Sequence, residues 1–244
     1  MTVVAYFCKD RVDAAEWVDD PELSVEDTRD TLRDQAIINR LIGGAHATLA
    51  HALPLLRKCT SDPVRVLDAA CGGADLSRWL VDEARRLGKR SEVTALDLSA
   101  KVIARARELC SGYPEITFIT ADALHPPFAR GSFDIVLLPT FIHHLQPEQV
   151  VTLLRAVRDV SRGSVIVADL VRSPLAYLGF WCFSRLMGFS PVTIHDGQVS
   201  VRRAYTPGEL AELAQRAGLE QWIIYRHHFY RMALLYPATE GNTV

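Results

Sequence analysis

From Val64 onward the chain keeps one rhythm, a short apolar run followed by an amphipathic one. The runs "VRVLDA", "EVTALDL", "ITFITAD", "FDIVLLP" and "SVIVADL" alternate with "LSRWLVDEARRLG", "AKVIARARELC" and "PEQVVTLLRAVRDVS". The apolar runs lack the every-second-residue polarity of a strand with one wet face. Strands buried on both faces and separated by helices imply an α/β chain with an open, mostly parallel sheet covered on each side. Such a sheet binds its ligand at the carboxyl ends of the strands, where the strand order reverses. The residues that finish the runs are therefore the informative ones: Asp68, Asp97, Asp122, Pro139-Thr140 and Asp169.

After Asp68 comes "AACGGAD", a glycine turn that opens a helix near Asp75. Glycine there lets the backbone approach a ligand that a side chain would hold off. A carboxylate at Asp97 can accept both hydroxyls of a ribose, and one at Asp122 can accept from an adenine amino group. A dinucleotide site would show GxGxxG, which the turn lacks. A short-chain dehydrogenase would need a Lys four residues after a Tyr, but Tyr177 is followed by Trp181 and Tyr205 by Glu209. Hydride transfer is disfavoured.

Composition narrows the rest. The 244 residues are 49% hydrophobic and carry a net charge of -2. One domain with a real core is implied, and an electrostatic nucleic-acid surface is not. Five scattered cysteines without a CxxC pair indicate neither a zinc site nor a disulfide framework, and fit a reducing cytoplasm. The first residues do not read as a secretory signal. The apolar window Ser173 to Phe189 is too short to span a membrane and is broken by Arg185. It reads as a lid helix or a surface helix that touches lipid.

Residues 22–60 read as helical, with a cap at Ser24 and an end at Gly43-Gly44. Near the C-terminus, Thr206, Pro207 and Glu209 form a capping box for a further helix, and "LEQWIIYRHHFYRMALLY" reads as two closing strands. Between Asp169 and Thr206 little regular pattern is visible, and an insertion of that length is usually functional. The expected organisation is an N-terminal helical cap, 1–60, and a main domain, 61–244, with a lid insertion at 172–203.

The four stretches "VLDAACGGAD", "TALDLSAKVIARAR", "ITADALHPPF" and "FDIVLLPTFIHHL" together resemble, in order and spacing, the motifs of the class I S-adenosylmethionine-dependent methyltransferases. "INRLIGG" and "SVRRAYTPGELAELAQRAGL" resemble a narrower bacterial group related to the ubiquinone/menaquinone methyltransferases and to polyketide-associated enzymes. The resemblance implies a Rossmann-like seven-stranded sheet, S-adenosyl-L-methionine as cofactor and S-adenosyl-L-homocysteine as product. It also implies that Asp68, Ala70, Cys71 and Gly72 lie near the amino-acid part of the cofactor. Asp97 and Leu98 would meet the ribose, Asp122 and Ala123 the adenine, and Leu138 and Pro139 the sulfonium. The family usually has Gly where Ala70 and Ala74 stand, a small change if φ stays negative.

Methyl transfer from a sulfonium needs alignment and removal of a proton where the acceptor has one. The Asp/Asn-Pro-Pro-Tyr segment of amine methyltransferases is replaced by "LPTF", and no carboxylate cluster for magnesium can be assembled, so no metal is expected. What remains is a small aromatic or polyketide-like acceptor, with oxygen favoured over carbon as the methylated atom. Candidate bases are His143 and His144, just past the fourth strand, and His195 before a strong Asp-Gly turn signal. Arg202 could clamp an anionic acceptor, and Phe180 and Trp181 could line an apolar pocket. No nucleic-acid partner and no stable membrane insertion are expected, and a homodimer is compatible with the sequence.

Overall fold

The computed structural model describes residues 8–20, 22–42 and 44–237. Helices α1 (Val25–Leu41) and α2 (Gly44–Lys58) come first. Then follow β1 (Val64–Ala69), α3 (Asp75–Arg86), β2 (Ser91–Asp97), α4 (Ala100–Leu109), β3 (Ile116–Thr120) and β4 (Phe133–Pro139). After a 3-10 turn at Ile142–His144 come α5 (Pro147–Val160), β5 (Ser161–Leu170), α6 (Pro174–Leu186), α7 (Pro191–Arg203) and α8 (Pro207–Arg216). Strands β6 (Ile223–His227) and β7 (Arg231–Tyr236) close the chain.

The seven strands lie in the order β3-β2-β1-β4-β5-β7-β6. All neighbours up to β5 run parallel, and β7 is antiparallel to both β5 and β6. The order reverses between β1 and β4, so the ligand crevice opens above Asp68 and Pro139. Strand alternation divides the core into two layers. Leu67, Val136, Leu138, Val167 and Leu234 pack against α5 and α8. Val66, Ile135, Leu137 and Ile166 pack against α2, α3 and α4. The expected caps are present: Ser24 accepts from the Asp27 N–H, and Thr206 and Glu209 complete their box.

The insertion departs from the sequence reading. Its first half, α6, is the helix read over Ser173 to Phe189, but its second half is a further helix where no regular pattern is visible in the sequence, and the Asp196-Gly197 pair lies inside α7 rather than in a turn. Packing overrides the local turn preference here. A Cβ on Gly197 would overlap the Phe180 ring, so glycine at this point lets α6 lie close on α7. Phe180 is thereby a packing residue between the two lid helices, not the lining of an open pocket.

This contact is testable. Gly to Ala in a free helix gains about 1 kcal/mol, whereas overpacking a filled contact costs roughly 1–3 kcal/mol. Gly197→Ala should therefore lower the stability measured by urea unfolding. A gain would mean that Phe180 has room to move and that the two helices are not held by this contact.

Candidate functional site

The turn after β1 is tight and specific. Three of its residues take left-handed φ: Ala70 at 61°, Gly72 at 53° and Ala74 at 57°. The condition under which Gly to Ala is a small change, a negative φ, is therefore not met at Ala70 or Ala74. The chain accepts about 1–2 kcal/mol of strain at each to hold the turn. The turn is tied down by the Cys71 N–H to Leu96 O (2.9 Å) and by the Gly72 N–H to the Asp97 carboxylate (3.1 Å). Nothing lies within 4 Å of a Cβ built on Gly72, so the turn faces open space. Cys71 is buried, and burial pushes its thiol well above the ordinary range, as suits a small packing residue.

Carboxylates ring this turn. Asp97 accepts from the Gly72 and Ser99 N–H groups, and burial raises its pKa despite those bonds. Asp68 is fully buried. One oxygen accepts from the Ser77 hydroxyl at 2.6 Å, while the other has no partner. Burial pushes its carboxyl up to about 7 against the Ser77 bond, with Asp97 and Asp75 adding to the rise. Asp122, two residues past β3, accepts from the Leu124 N–H at 2.8 Å and meets His125 at 3.2 Å. Leu98 is 73% exposed on the lip, and Ala123, Leu138 and Pro139 line the strand ends, with the first two buried. An orphaned buried carboxylate oxygen, a second carboxylate at the ribose position and an open glycine turn fit a nucleoside bearing positive charge.

A second group sits beyond β4. Thr140 takes φ of 50°, its N–H reaches Ala168 O at 2.6 Å, and its hydroxyl accepts from the buried Arg231 at 3.2 Å. This bend carries the chain into the 3-10 turn. There the His143 N–H and Nδ1 both meet the Asp169 carboxylate, at 3.0 and 2.8 Å. Burial raises the Asp169 pKa, but His143 and the N–H groups of Leu170 and His143 more than offset it, leaving the carboxyl below its ordinary range. The Nε2 atoms of His143 and His144 lie 3.8 and 3.7 Å from the two oxygens of buried Glu16. The Ser200 hydroxyl donates to Glu16 at 2.9 Å. Glu16, His143 and His144 offer three ligating atoms within 4.8 Å of one another, a donor set that a divalent cation could also use.

Of the candidate bases, the fold brings His143 and His144 to the strand ends and takes His195 elsewhere. The His195 ring stacks on Trp17 (4.0 Å, 7°), and its Nδ1 meets Asp196 at 2.8 Å. Asp196 in turn accepts from the Trp17 and Val18 N–H groups, so this pair holds the N-terminal segment on the lid. Arg202 is half-buried beside the N-terminal segment, where its carbonyl accepts from the Val12 N–H at 3.3 Å. Trp181 is 40% exposed, with Arg185 over its ring at 4.3 Å, and lies on the outer face of the lid instead of in a pocket. Sequence reasoning named Asp169 only as a strand end. It missed Glu16, whose surroundings, "DAAEW", carry no signal, and Ser77.

Comparison with known proteins agrees with this geometry. The family described as "Methyltransferase domain" matches residues 66–163. The chain is 28% identical to an uncharacterised methyltransferase of Synechocystis over 203 residues, 80% of this chain and 84% of that one. It is 30% identical to the 2-phytyl-1,4-naphtoquinone methyltransferase of Thermosynechococcus vestitus over 171 residues, 64% of this chain and 72% of that one. Among solved structures, an S-adenosylmethionine-dependent methyltransferase from Aquifex aeolicus superposes with a TM-score of 0.61 at 13% identity, covering 89% of this chain and all of that one. The plantazolicin methyltransferase BpumL superposes with a TM-score of 0.65 at 14% identity, covering 91% and 93%.

Two predictions follow from the turn. Ala70→Gly should raise stability by about 0.5–1 kcal/mol, the relieved strain less the entropy of glycine, as read by thermal and urea unfolding. Asp68 carries a raised carboxyl pKa, so the folded state keeps a proton that the unfolded chain loses. Its contribution to stability is full below about pH 4 and disappears as pH rises through 7. A cation bound at the turn favours the carboxylate, so binding of the sulfonium S-adenosylmethionine near pH 7 should release protons. Calorimetry in buffers of different ionisation enthalpy measures this, and Asp68→Asn should abolish it.

A seven-stranded sheet in this order, together with the methyltransferases the chain is similar to, identifies the family: the chain belongs to the class I S-adenosylmethionine-dependent methyltransferases.

Proposed function

We propose that the enzyme methylates an aromatic quinol-type acceptor at a ring carbon, with His143 as general base. The observation that carries this reading is the buried His143–Asp169 pair at the end of β4. With Nδ1–H donating to Asp169, Nε2 keeps a lone pair for the acceptor hydroxyl. Asp169 then stabilises the imidazolium that forms. The bound cofactor supplies an electrophilic methyl group on a sulfonium. Removal of the hydroxyl proton pushes electron density onto the neighbouring ring carbon, which forms the new bond to methyl as the carbon–sulfur bond breaks. The ring regains aromaticity by losing its own hydrogen at that carbon. Glu16, with its oxygens 3.8 and 3.7 Å from the two Nε2 atoms, steadies the charge that accumulates.

Sequence alone favours oxygen as the methylated atom. We favour carbon, a choice supported by relatives named for naphthoquinone and demethylmenaquinone acceptors. A quinone ring offers carbon positions, and its oxygens are hydroxyls only after reduction. Phe180 and Trp181 no longer belong to the acceptor site in this reading. His144 and Glu16 take their place beside His143.

Turnover with reduced naphthoquinones and methyl-labelled cofactor tests the proposal. The product should carry an aryl methyl signal rather than a methoxy signal in carbon NMR, and a methoxy product would restore the oxygen reading. His143→Ala should lower kcat by on the order of 10²–10⁴ while S-adenosylhomocysteine binding stays unchanged. Asp169→Asn should follow it, and His195→Ala should not. Turnover should persist after dialysis against a chelator. Loss restored by a divalent ion would instead assign Glu16, His143 and His144 to a metal.

A further inference from the structure

The outer face of the lid is apolar where a free surface would be polar. On α6, Leu175 is 64% exposed, Leu178 46%, Trp181 40% and Leu186 85%. Leu175, Leu178, Cys182 and Leu186 follow helical spacing along one side. The inner side is already occupied, by Ala176 and Ser184, by Phe180 over Gly197, and by Phe183 edge-on to Phe189. The β6–β7 tip extends the apolar face with Phe229 and Tyr230, 61% and 41% exposed. Tip and lid are joined, since the Val171 N–H donates to Tyr230 O at 2.8 Å just before α6 begins.

Charge chooses the occupant. The chain has 29 acidic residues, yet none lies between Val171 and His195 or between Gln221 and Pro237. The exposed charges in these two segments are positive, with Arg185 lying over Trp181 and Arg226 on the edge strand. A second copy of the chain, packed face to face, would set arginine against arginine with no acid to meet either. An apolar stripe bearing Trp, Tyr and Arg and no acid matches the boundary between headgroups and acyl chains of an anionic bilayer.

We propose that α6 and the β6–β7 tip dock the enzyme peripherally on an anionic phospholipid surface. Leu175, Leu178, Trp181 and Leu186 enter the acyl boundary, and Arg185 meets lipid phosphates. No helix among the described residues is long and apolar enough to cross a membrane, so the contact is superficial. The docked face is the back of the lid whose inner helix, α7, packs on the His143 turn. An apolar acceptor dissolved in the bilayer would therefore lie at the entrance. The docking does not rest on the acceptor assignment.

The test is vesicle binding by the full chain without acceptor or cofactor, so that its outcome is independent of the methylation reading. Large unilamellar vesicles of phosphatidylcholine, with and without phosphatidylglycerol, are sedimented with the protein. Binding is expected to the anionic vesicles, weakened by salt, with a blue shift of tryptophan fluorescence. The double variant L178D/L186D should bind at least about tenfold more weakly, and Arg185→Glu should lose the preference for anionic lipid. Leu87→Asp, at an exposed leucine outside the face, should bind as wild type does. Unchanged melting and S-adenosylhomocysteine binding report an intact fold, and Leu186→Asp alone serves if the double variant does not fold. Absence of binding to both vesicle types, binding insensitive to the face variants, or equal loss with Leu87→Asp would overturn the proposal. So would a wild-type dimer that L178D/L186D turns into a monomer in light scattering, since the face would then be a contact between chains.

Discussion

The hydrogen-bonded pair of Asp169 and His143 is the point on which the active side of the molecule hangs. It joins the end of β5 to the turn after β4 in a region closed to water, with Asp169 2% exposed. A carboxylate so buried is costly unless every oxygen is met. Here the His143 ring, its N–H and the Leu170 N–H meet it. The turn that results presents a row of outward carbonyls, and two arginines take them. Arg203 donates to the carbonyls of His143 and His144, and Arg11 to those of His143 and Leu145. The lid and the N-terminal segment are thus both fastened to the histidine turn through its backbone.

The remaining fastenings of the lid are of the same kind. Asp34 on α1 accepts from the Ser190 N–H at the start of α7, and Asp196 on α7 accepts from two N–H groups of the N-terminal segment. Buried carboxylates capping free N–H groups give direction without requiring a large apolar interface.

How much of this was legible in the sequence depends on range. The strand-turn-helix at Asp68, the alternation of strands and helices and the acids that end the strands are short-range patterns, and they were readable. His143 and Asp169 were both readable as strand-end residues, but their pairing depends on β4 and β5 being neighbours, which spacing alone does not dictate. Glu16 reaches the site from a segment with no helical or strand pattern, so only the assembled fold reveals it. The second half of the lid was misread for a different reason. Its prolines open helices at their first turn, and Gly197 serves close packing instead of a turn. The left-handed alanines were illegible too, because backbone strain at Ala70 and Ala74 leaves no mark on composition.

The lid also explains the uneven placement of acid along the chain. Glu16, Asp34 and Asp196 are all at most 5% exposed, spent on N–H groups, a hydroxyl and imidazoles inside the molecule. The outer lid helix, α6, has no acid of its own. A polar interior beneath an apolar exterior inverts the usual arrangement of a covering helix. The inversion is consistent physically if the inner face must handle a proton and a sulfonium while the outer face meets something without water. The two faces of one thin layer then answer to two different solvents, and α7 and α6 divide the work between them.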